Sequence, residues 1–307
     1  MVRLDHPASL SRIPKPLALA IGVFDGVHLG HRAVLAQAHA DAATWAGEAV
    51  AVTFDPHPAK ILRPEAAPAL LTSTEQKLNL MSGLGFAYAL VIPFDCKMAG
   101  TTAEDFLELL TANRNLQEIV VGQGWRFGKG RTGTPELLRA VGVQHGFAAI
   151  EIPSVAVDGL PVSSTRIRRA IAAGDFAAAE RCLGREYSVC GTVVEGRHDG
   201  QALGFPTANL SPANAQFPPD GVYAVRVILP GGIPHPAVAN LGCRPTLETD
   251  GKRMLEVHIP GFSGNLYGST LEVVFSRHLR NEKKFASRSD LIQQIQCDIQ
   301  QAASLES

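Results

Sequence analysis

Two histidines three residues apart, His28 and His31, stand within Gly22-Val23-Phe24-Asp25-Gly26-Val27-His28-Leu29-Gly30-His31. On the first turn of one helix that spacing puts both imidazoles on one face. Gly22, Gly26 and Gly30 let the backbone approach a ligand, and a helix N-terminus adds N–H donors and partial positive charge. Two imidazoles beside such donors suit a phosphorus centre that gathers negative charge. The pattern is neither the dinucleotide fingerprint nor the lysine-bearing P-loop. Two other readings stay open: zinc ligation, for which no third ligand stands nearby in sequence, and helix capping by one of the pair.

Four more stretches carry polar or planar groups. In Val162-Ser163-Ser164-Thr165-Arg166-Ile167-Arg168-Arg169, Ser163 or Ser164 is placed to cap a helix whose apolar Ile167 and Ile171 lie four apart. Hydroxyls, a helix N-terminus and the Arg166 guanidinium make a second anion site, while Arg168 and Arg169 read as a solvated face. In Val120-Val121-Gly122-Gln123-Gly124-Trp125-Arg126-Phe127-Gly128, glycines surround aromatic rings that can stack on a planar ligand. The prolines of Thr53-Phe54-Asp55-Pro56-His57-Pro58 stop any helix and stiffen the loop that carries His57. In Leu203-Gly204-Phe205-Pro206-Thr207-Ala208-Asn209-Leu210, an extended backbone turns the oxygens of Thr207 and Asn209 to one side. A hydroxyl and an amide carbonyl are hard ligands that Mg²⁺ accepts while keeping waters and phosphates. The other stretches also have plainer readings, as a helix cap, a rigid turn and a strand end, whereas the aromatic rings of a glycine-rich loop are less suited to a core role.

The elements that must hold these residues follow from periodicity. Apolar runs at Leu17–Val23, Ala49–Phe54, Ala87–Ile92 and Glu118–Val121 predict strands, with helical stretches near Arg32–Ala46, Thr74–Gly83, Thr102–Asn113 and Pro135–His145 between and after them. Such alternation predicts an α/β doubly wound parallel sheet, whose ligands bind at the carboxyl ends of the strands. Near Leu183-Gly184-Arg185 the period changes. Short runs rich in Val, Ile and Tyr (Tyr187–Val194, Gly221–Leu229, Ala237–Asn240, Met254–Ile259, Thr270–Phe275), broken by Pro/Gly turns, predict a small antiparallel β-barrel. The segment from Ser287 to Leu305 is an amphipathic helix with Leu291, Ile292, Ile295 and Ile299 on one side, suited to bracing that barrel. The expected domains are therefore 1–183 and 184–307, and 307 residues suffice for two cores.

Composition narrows the partners. At 46% hydrophobic and 19% charged residues, with a net charge of −1, the chain is globular and has no basic excess for nucleic acid. No apolar run is long enough to span a bilayer, and Met1 to Lys15 lacks a signal-peptide core. The five scattered cysteines form no Cys-x-x-Cys pair, which fits reduced thiols and a cytoplasmic location.

Gly22 to His31 resembles the His-x-Gly-His element of nucleotidylyltransferases, and with Phe24-Asp25-Gly26 it is similar to the N-terminal module of bacterial FAD synthetases. Leu203 to Leu210 resembles the Pro-Thr-Ala-Asn signature of riboflavin kinases. Supporting matches are Gly221-Val222-Tyr223, Asn240-Leu241-Gly242 with Pro245-Thr246, Leu266-Tyr267-Gly268 and Leu279-Arg280-Asn281-Glu282-Lys283-Lys284-Phe285. The resemblance implies a bifunctional enzyme: riboflavin is phosphorylated to FMN by the C-terminal barrel, and FMN is adenylylated to FAD, with pyrophosphate released, by the N-terminal domain. It implies ATP contacts at Gly22, Phe24, Asp25, Gly26, His28, Gly30, His31, Ser164, Thr165 and Arg166, the Ser-Ser-Thr segment lying on the β and γ phosphates. It implies flavin contacts at Phe54, His57, Gly122, Phe127 and Gly128.

In the kinase it implies ATP or flavin contacts at Gly204, Pro206, Thr207, Asn209, Tyr223 and Arg280, Mg²⁺ on Thr207 and Asn209, and Glu256 as general base. The sequence departs from the family at Gly124, where Asp or Asn is usual, at Trp125, where Phe is usual, and at Gln201, where Arg or Lys is usual. Gly261-Phe262-Ser263-Gly264-Asn265 is less acidic than the family loop. Two alternatives follow: a riboflavin kinase with a degenerate nucleotide-binding N-terminal domain, and a flavin- or nucleotide-sensing protein without turnover.

Overall fold

A computed structural model describes residues 1–113, 115–196, 199–212, 215–243 and 253–304. The chain divides into two compact units, Met1–Ser164 and Thr165–Ser307.

The first unit is a six-stranded parallel sheet of β1 (Val2–Leu4), β2 (Leu17–Ile21), β3 (Glu48–Asp55), β4 (Tyr88–Pro93), β5 (Leu116–Gly122) and β6 (Ala148–Ile152), in the order β1-β4-β3-β2-β5-β6. The four strands expected from the sequence are present. The short edge strand β1 and the half-buried β6 carry too weak an apolar signal to be read. Among the described residues, six α-helices belong to this unit, α1 (Leu29–Thr44), α2 (Pro58–Leu62), α3 (Thr74–Gly83), α4 (Cys96–Gly100), α5 (Ala103–Thr111) and α6 (Pro135–His145), and a short antiparallel pair, β7 (Ala156–Val157) and β8 (Leu160–Pro161), follows β6. Alternation along the strands sorts the core by size. Leu17, Leu19, Ile21, Val50, Val52, Leu90 and Ile92 meet Phe106, Leu107 and Leu110 on one face. On the other face Ala18, Ala20, Ala49, Ala51 and Ala89 let the alanine-rich α1 settle close, with Val34, Leu35 and Ala38 filling the gap. From β2 the chain goes to β3 on one side, and later to β5 on the other. The turn after β2 therefore sits at the switch point, where doubly wound sheets bind ligands.

One buried group in this packing depends on pH. Glu118 of β5 is 7% exposed, and its Oε1 has no hydrogen-bond partner. Burial, reinforced by Asp41 of α1, pushes its carboxyl up to about 7 from an ordinary 4.5. Asp41 in turn accepts from Gln37 Nε2 at 2.7 Å, and the backbone neighbours of Glu118 are Ala18 and Ala148. The folded chain thus keeps a proton that the unfolded chain has lost across this window, so stability falls as pH rises through it. Glu118→Gln, which stays uncharged, is expected to raise the melting temperature at pH 8 and leave it nearly unchanged at pH 4.5, as read by thermal melts at both pH values.

The second unit begins with α7 (Ser164–Ala172), whose first residue closes the first unit, and α8 (Phe176–Leu183). The period changes at Leu183, yet the compact unit starts earlier, because α8 lays Phe176 against Tyr223 and Phe275 at 5.9 and 5.7 Å. A closed antiparallel barrel follows, from β9 (Ser188–Val194), β10 (Thr207–Ser211), β11 (Gly221–Ile228), β12 (Pro234–Cys243), β13 (Arg253–His258) and β14 (Thr270–Arg280). Its order is β10-β13-β12-β11-β14-β9. A single turn, α9 (Asp199–Ala202), precedes β10, and α10 (Arg288–Ser304) ends the described chain. Tyr187, Tyr223, Val225, Leu241, Leu255, Val257, Leu271 and Phe275 are buried within the unit. Outside the barrel, α10 packs Ile299 and Ala302 on Val222, Ala224 and Val238, the brace expected from its amphipathic pattern. Pro245, Thr246 and Leu305 lie outside the described residues.

Candidate functional sites

In the first unit, the turn after β2 is held under strain. Phe24 and the β-branched Val27 both have positive φ, 52° and 41°, and Phe24 is fully buried. Such conformations persist where the surroundings over-determine them, and they gather at functional sites. Asp25 supplies much of that determination. Its buried carboxylate accepts from Leu71 N at 3.0 Å and Thr72 N at 3.1 Å, while Gly26 N donates to Thr72 Oγ1 at 3.0 Å. Ser164 Oγ donates to the Asp25 carbonyl at 2.9 Å, so a residue 139 positions away is tied to the turn. The sequence expectation of Asp25 and Ser164 as ATP contacts meets a structure in which both brace the turn.

His28 is the N-cap of α1, its Nδ1 accepting from His31 N at 3.3 Å. The capping reading is therefore correct for His28, and it leaves the proton of the neutral ring on Nε2. His31, in the first turn, stacks on His28 with ring centroids 3.5 Å apart and meets Phe24 edge-on at 5.3 Å. Its Nδ1 is buried without a partner. Burial, with His28 and Lys77 adding to it, holds His31 well below the ordinary histidine range. Gly22 bonds to Val52 O at 3.0 Å and ends β2; Gly30 lies in the first turn of α1. Among the described residues, no cluster of three His, Cys, Asp or Glu is placed to hold a metal, so the zinc reading gains no third ligand.

Beside this turn lies a cavity of about 680 Å³, lined by Val23, Phe54, His57, Phe106, Trp125, Phe127 and Gly128 among others. Trp125 and Phe127 stack with centroids 4.4 Å apart, giving the cavity a planar aromatic wall. Gly128, at φ 72°, passes so close to α5 that a Cβ would stand 2.5 Å from Ala103 N. His57 caps α2, its Nδ1 accepting from Ala59 N at 3.1 Å. Gly122 ends β5 and is not part of this lining. Gly124, which departs from the family, donates its N–H to Glu151 Oε1 at 2.9 Å. Thr165 and Arg166 belong to the second unit by the division above.

In the second unit, register does the assembling. Asn209 on β10 pairs with Glu256 on β13, which pairs with Asn240 on β12; Thr207 pairs with His258. Directly opposed residues share a face, so Thr207, Asn209, Glu256, Asn240 and His258 stand on the outer wall of the barrel. Gly196 leaves room for Asn209, since a Cβ there would lie 2.1 Å from Asn209 Nδ2. His258 Nδ1 bonds the Pro206 carbonyl at 2.8 Å and fixes the approach to Thr207. A cavity of about 370 Å³ on this wall is lined by Thr207, Glu256, Arg280, Phe285, Leu291 and Ile295 among others. A second, of about 490 Å³, reaches Thr207 from the side of Gln201, Pro206, Phe262, Asn265 and Tyr267. Thr207 is common to both.

Three expected kinase residues are placed differently: Asn209, 6% exposed with its amide against Gly196, lines neither cavity, and the other two are Tyr223 and Gly204. Tyr223 is fully buried and donates its hydroxyl to the Pro219 carbonyl; its β11 neighbour Val222 takes the cavity side. Gly204, at φ 89°, shapes the turn before β10 and lines neither cavity. Arg280 does line the cavity, but its guanidinium is held in a fork by Asp298, with Nε at 3.0 Å and Nη2 at 2.8 Å from Oδ2. Asp298, 2% exposed on α10, also accepts from Gln294 Nε2 at 2.8 Å. The sequence reading missed it because a lone acid in an amphipathic helix reads as solvated. Asp298→Asn breaks a buried pair that also orients a cavity residue. It is expected to lower the melting temperature, since removing one partner of a buried pair costs about 3–5 kcal/mol, as read by thermal denaturation.

A family profile described as FAD synthetase matches residues 10–166, and one described as riboflavin kinase matches residues 183–305. A bifunctional riboflavin kinase/FMN adenylyltransferase of Pseudomonas fluorescens is 40% identical over 286 residues, covering 93% of this chain and 91% of that protein. The protein of the same description from Escherichia coli strain K12 is 37% identical, covering 94% and 93%. A crystal structure titled macrolide-efflux protein, from Streptococcus pneumoniae, aligns with a TM-score of 0.81 at 28% identity over 97% of this chain and 96% of that one. Among the described residues, no helix is long and apolar enough to cross a membrane. With two profiles matched in order and curated relatives matched across most of both chains, the chain belongs to the bifunctional riboflavin kinase/FMN adenylyltransferase family.

Proposed function

We propose that the barrel phosphorylates riboflavin to FMN and the parallel-sheet unit adenylylates FMN to FAD, each with its own ATP. The observation that carries this reading is Thr207, which lines two cavities at once, with Glu256 on the wall of one of them. Riboflavin fits the cavity with aromatic and aliphatic walls, Phe285, Leu291 and Ile295, and ATP the one beyond Pro206. The ribityl 5′-hydroxyl attacks the γ phosphorus, its proton passes to Glu256, and ADP leaves. Glu256 need only lie within hydrogen-bond reach of that hydroxyl.

Thr207 and Asn209 offer hard oxygen atoms on one face, which fits Mg²⁺ carried mainly by phosphates and water. Bound there, Mg²⁺ would neutralise charge on the transferring phosphate. Thr207, Asn209 and His258 hold the loop and align the nucleotide, the larger part of catalysis in phosphoryl transfer.

In the first unit, the flavin ring stacks in the cavity walled by Phe54, Trp125 and Phe127. An FMN phosphate oxygen attacks the α phosphorus and pyrophosphate leaves; the substrate brings its own nucleophile. His28, His31 and the N–H groups opening α1 hold the charge that develops. The cavity and turn are intact around Gly124, and both family profiles match, which supports two activities over a kinase with a degenerate partner. The four described thiols, Cys96, Cys182, Cys190 and Cys297, are unpaired, consistent with the cytoplasm as the compartment we assign.

A chromatographic time course from riboflavin with Mg·ATP tests the whole reading. FMN rises first and FAD follows; FMN accumulating with no FAD would leave only the kinase.

A further inference from the structure

Lys77 stands outside every motif read from the sequence. It lies on α3 and is 5% exposed. Its Nζ donates to the Val23 carbonyl at 2.9 Å and to Thr53 Oγ1 at 3.1 Å, and Thr53 Oγ1 donates to the same carbonyl at 3.0 Å. Both of its partners are neutral oxygens, and among the described residues no ion pair includes it. A buried ammonium without a carboxylate at contact distance is costly to keep, which calls for a use of its charge.

The carbonyl it grips belongs to the residue just before Phe24, where the backbone enters its positive-φ turn. The same bonds tie that turn to the end of β3, from which the Phe54 and His57 side of the flavin cavity starts. The titratable groups around it are Asp25 on the turn, Asp55 at the end of β3, and His31 at the start of α1, with His28 stacked on it.

We propose that Lys77 is a positioning residue for adenylyl transfer: its ammonium fixes the Val23 carbonyl, and so the turn presenting His28 and His31, and does so effectively only while protonated. A charged donor bonds about twice as strongly as a neutral one, so loss of the proton slackens the turn. Burial brings this ammonium down to about 8, against the opposing pull of Asp25 and Asp55, so the change falls within an accessible pH range. The inference rests on the adenylyl-transfer reading and adds to it a residue that touches no substrate.

The test is the pH profile of kcat/KM for ATP in FAD formation from supplied FMN, a quantity that reports groups of the free enzyme. The full chain is expected to lose activity above about pH 8. Lys77→Met should lower kcat roughly ten- to a hundredfold, flatten that alkaline limb and leave the FMN KM within about twofold. Lys77→Arg, which stays charged, should carry activity past the limb. If neither Lys77 variant folds, Thr53→Val removes one acceptor from the ammonium and should move the limb to lower pH. A wild-type profile flat from pH 7 to 9.5 (roughly the window of a lysine shifted this far), or a limb unchanged in Lys77→Met, would overturn the inference. Absence of FAD at every pH would instead overturn the adenylyl-transfer reading.

Discussion

His31→Ala is expected to lower FAD formation from FMN by at least about a hundredfold while riboflavin phosphorylation stays within about twofold. Removing one donor from a site that stabilises developing charge typically costs that much or more. The imidazole is well placed to matter: it is stacked on the capping His28, wedged against Phe24 and left with a buried nitrogen unpartnered. Alanine is the best helix former, so α1 should tolerate the change, and the kinase reaction of the same chain serves as an internal control. Equal loss of both activities would show that His31 supports the chain as a whole rather than one reaction.

The converse substitution is Glu256→Ala. Riboflavin phosphorylation is expected to fall by about 10²–10⁴, the usual worth of a positioned general base, with FAD formation from supplied FMN unaffected. The riboflavin KM should change little, because the walls of the cavity are mainly Phe285, Leu291 and Ile295. Glu256→Gln keeps the shape and still lacks the base, so it should behave as the alanine variant does. A glutamine variant with wild-type rate would remove Glu256 from the chemistry.

What the sequence conveyed and what it hid follow from how far apart the interacting residues lie. Motifs local in the chain were legible: the turn after β2, the capped start of α1, and the alternation that sends Thr207 and Asn209 to one side. The parallel sheet and the barrel were legible as well, since strand and helix periods differ. Groups whose meaning comes from partners far along the chain were not. Asp25 reads as a ligand until Leu71 and Thr72 are found on its carboxylate. Tyr223 reads as a contact until pairing of β11 with β12 and β14 shows which of its faces is inside. Lys77 and Asp298 look like surface charges on helices until the bonds to Val23 and Arg280 are seen. β10 carries the Thr-Asn pair and was legible only as an extended stretch, because Pro206 and a preceding glycine mark a turn.

On this reading one chain holds two independent ATP sites that share only FMN. The decisive experiment mixes His31→Ala with Glu256→Ala and supplies riboflavin and Mg·ATP. Neither variant alone should make FAD from riboflavin. Together they should, with FMN released by the first variant and consumed by the second. If the mixture makes no FAD although each variant keeps its one expected activity, FMN does not pass freely between the sites; if each variant has lost both activities, there are not two sites.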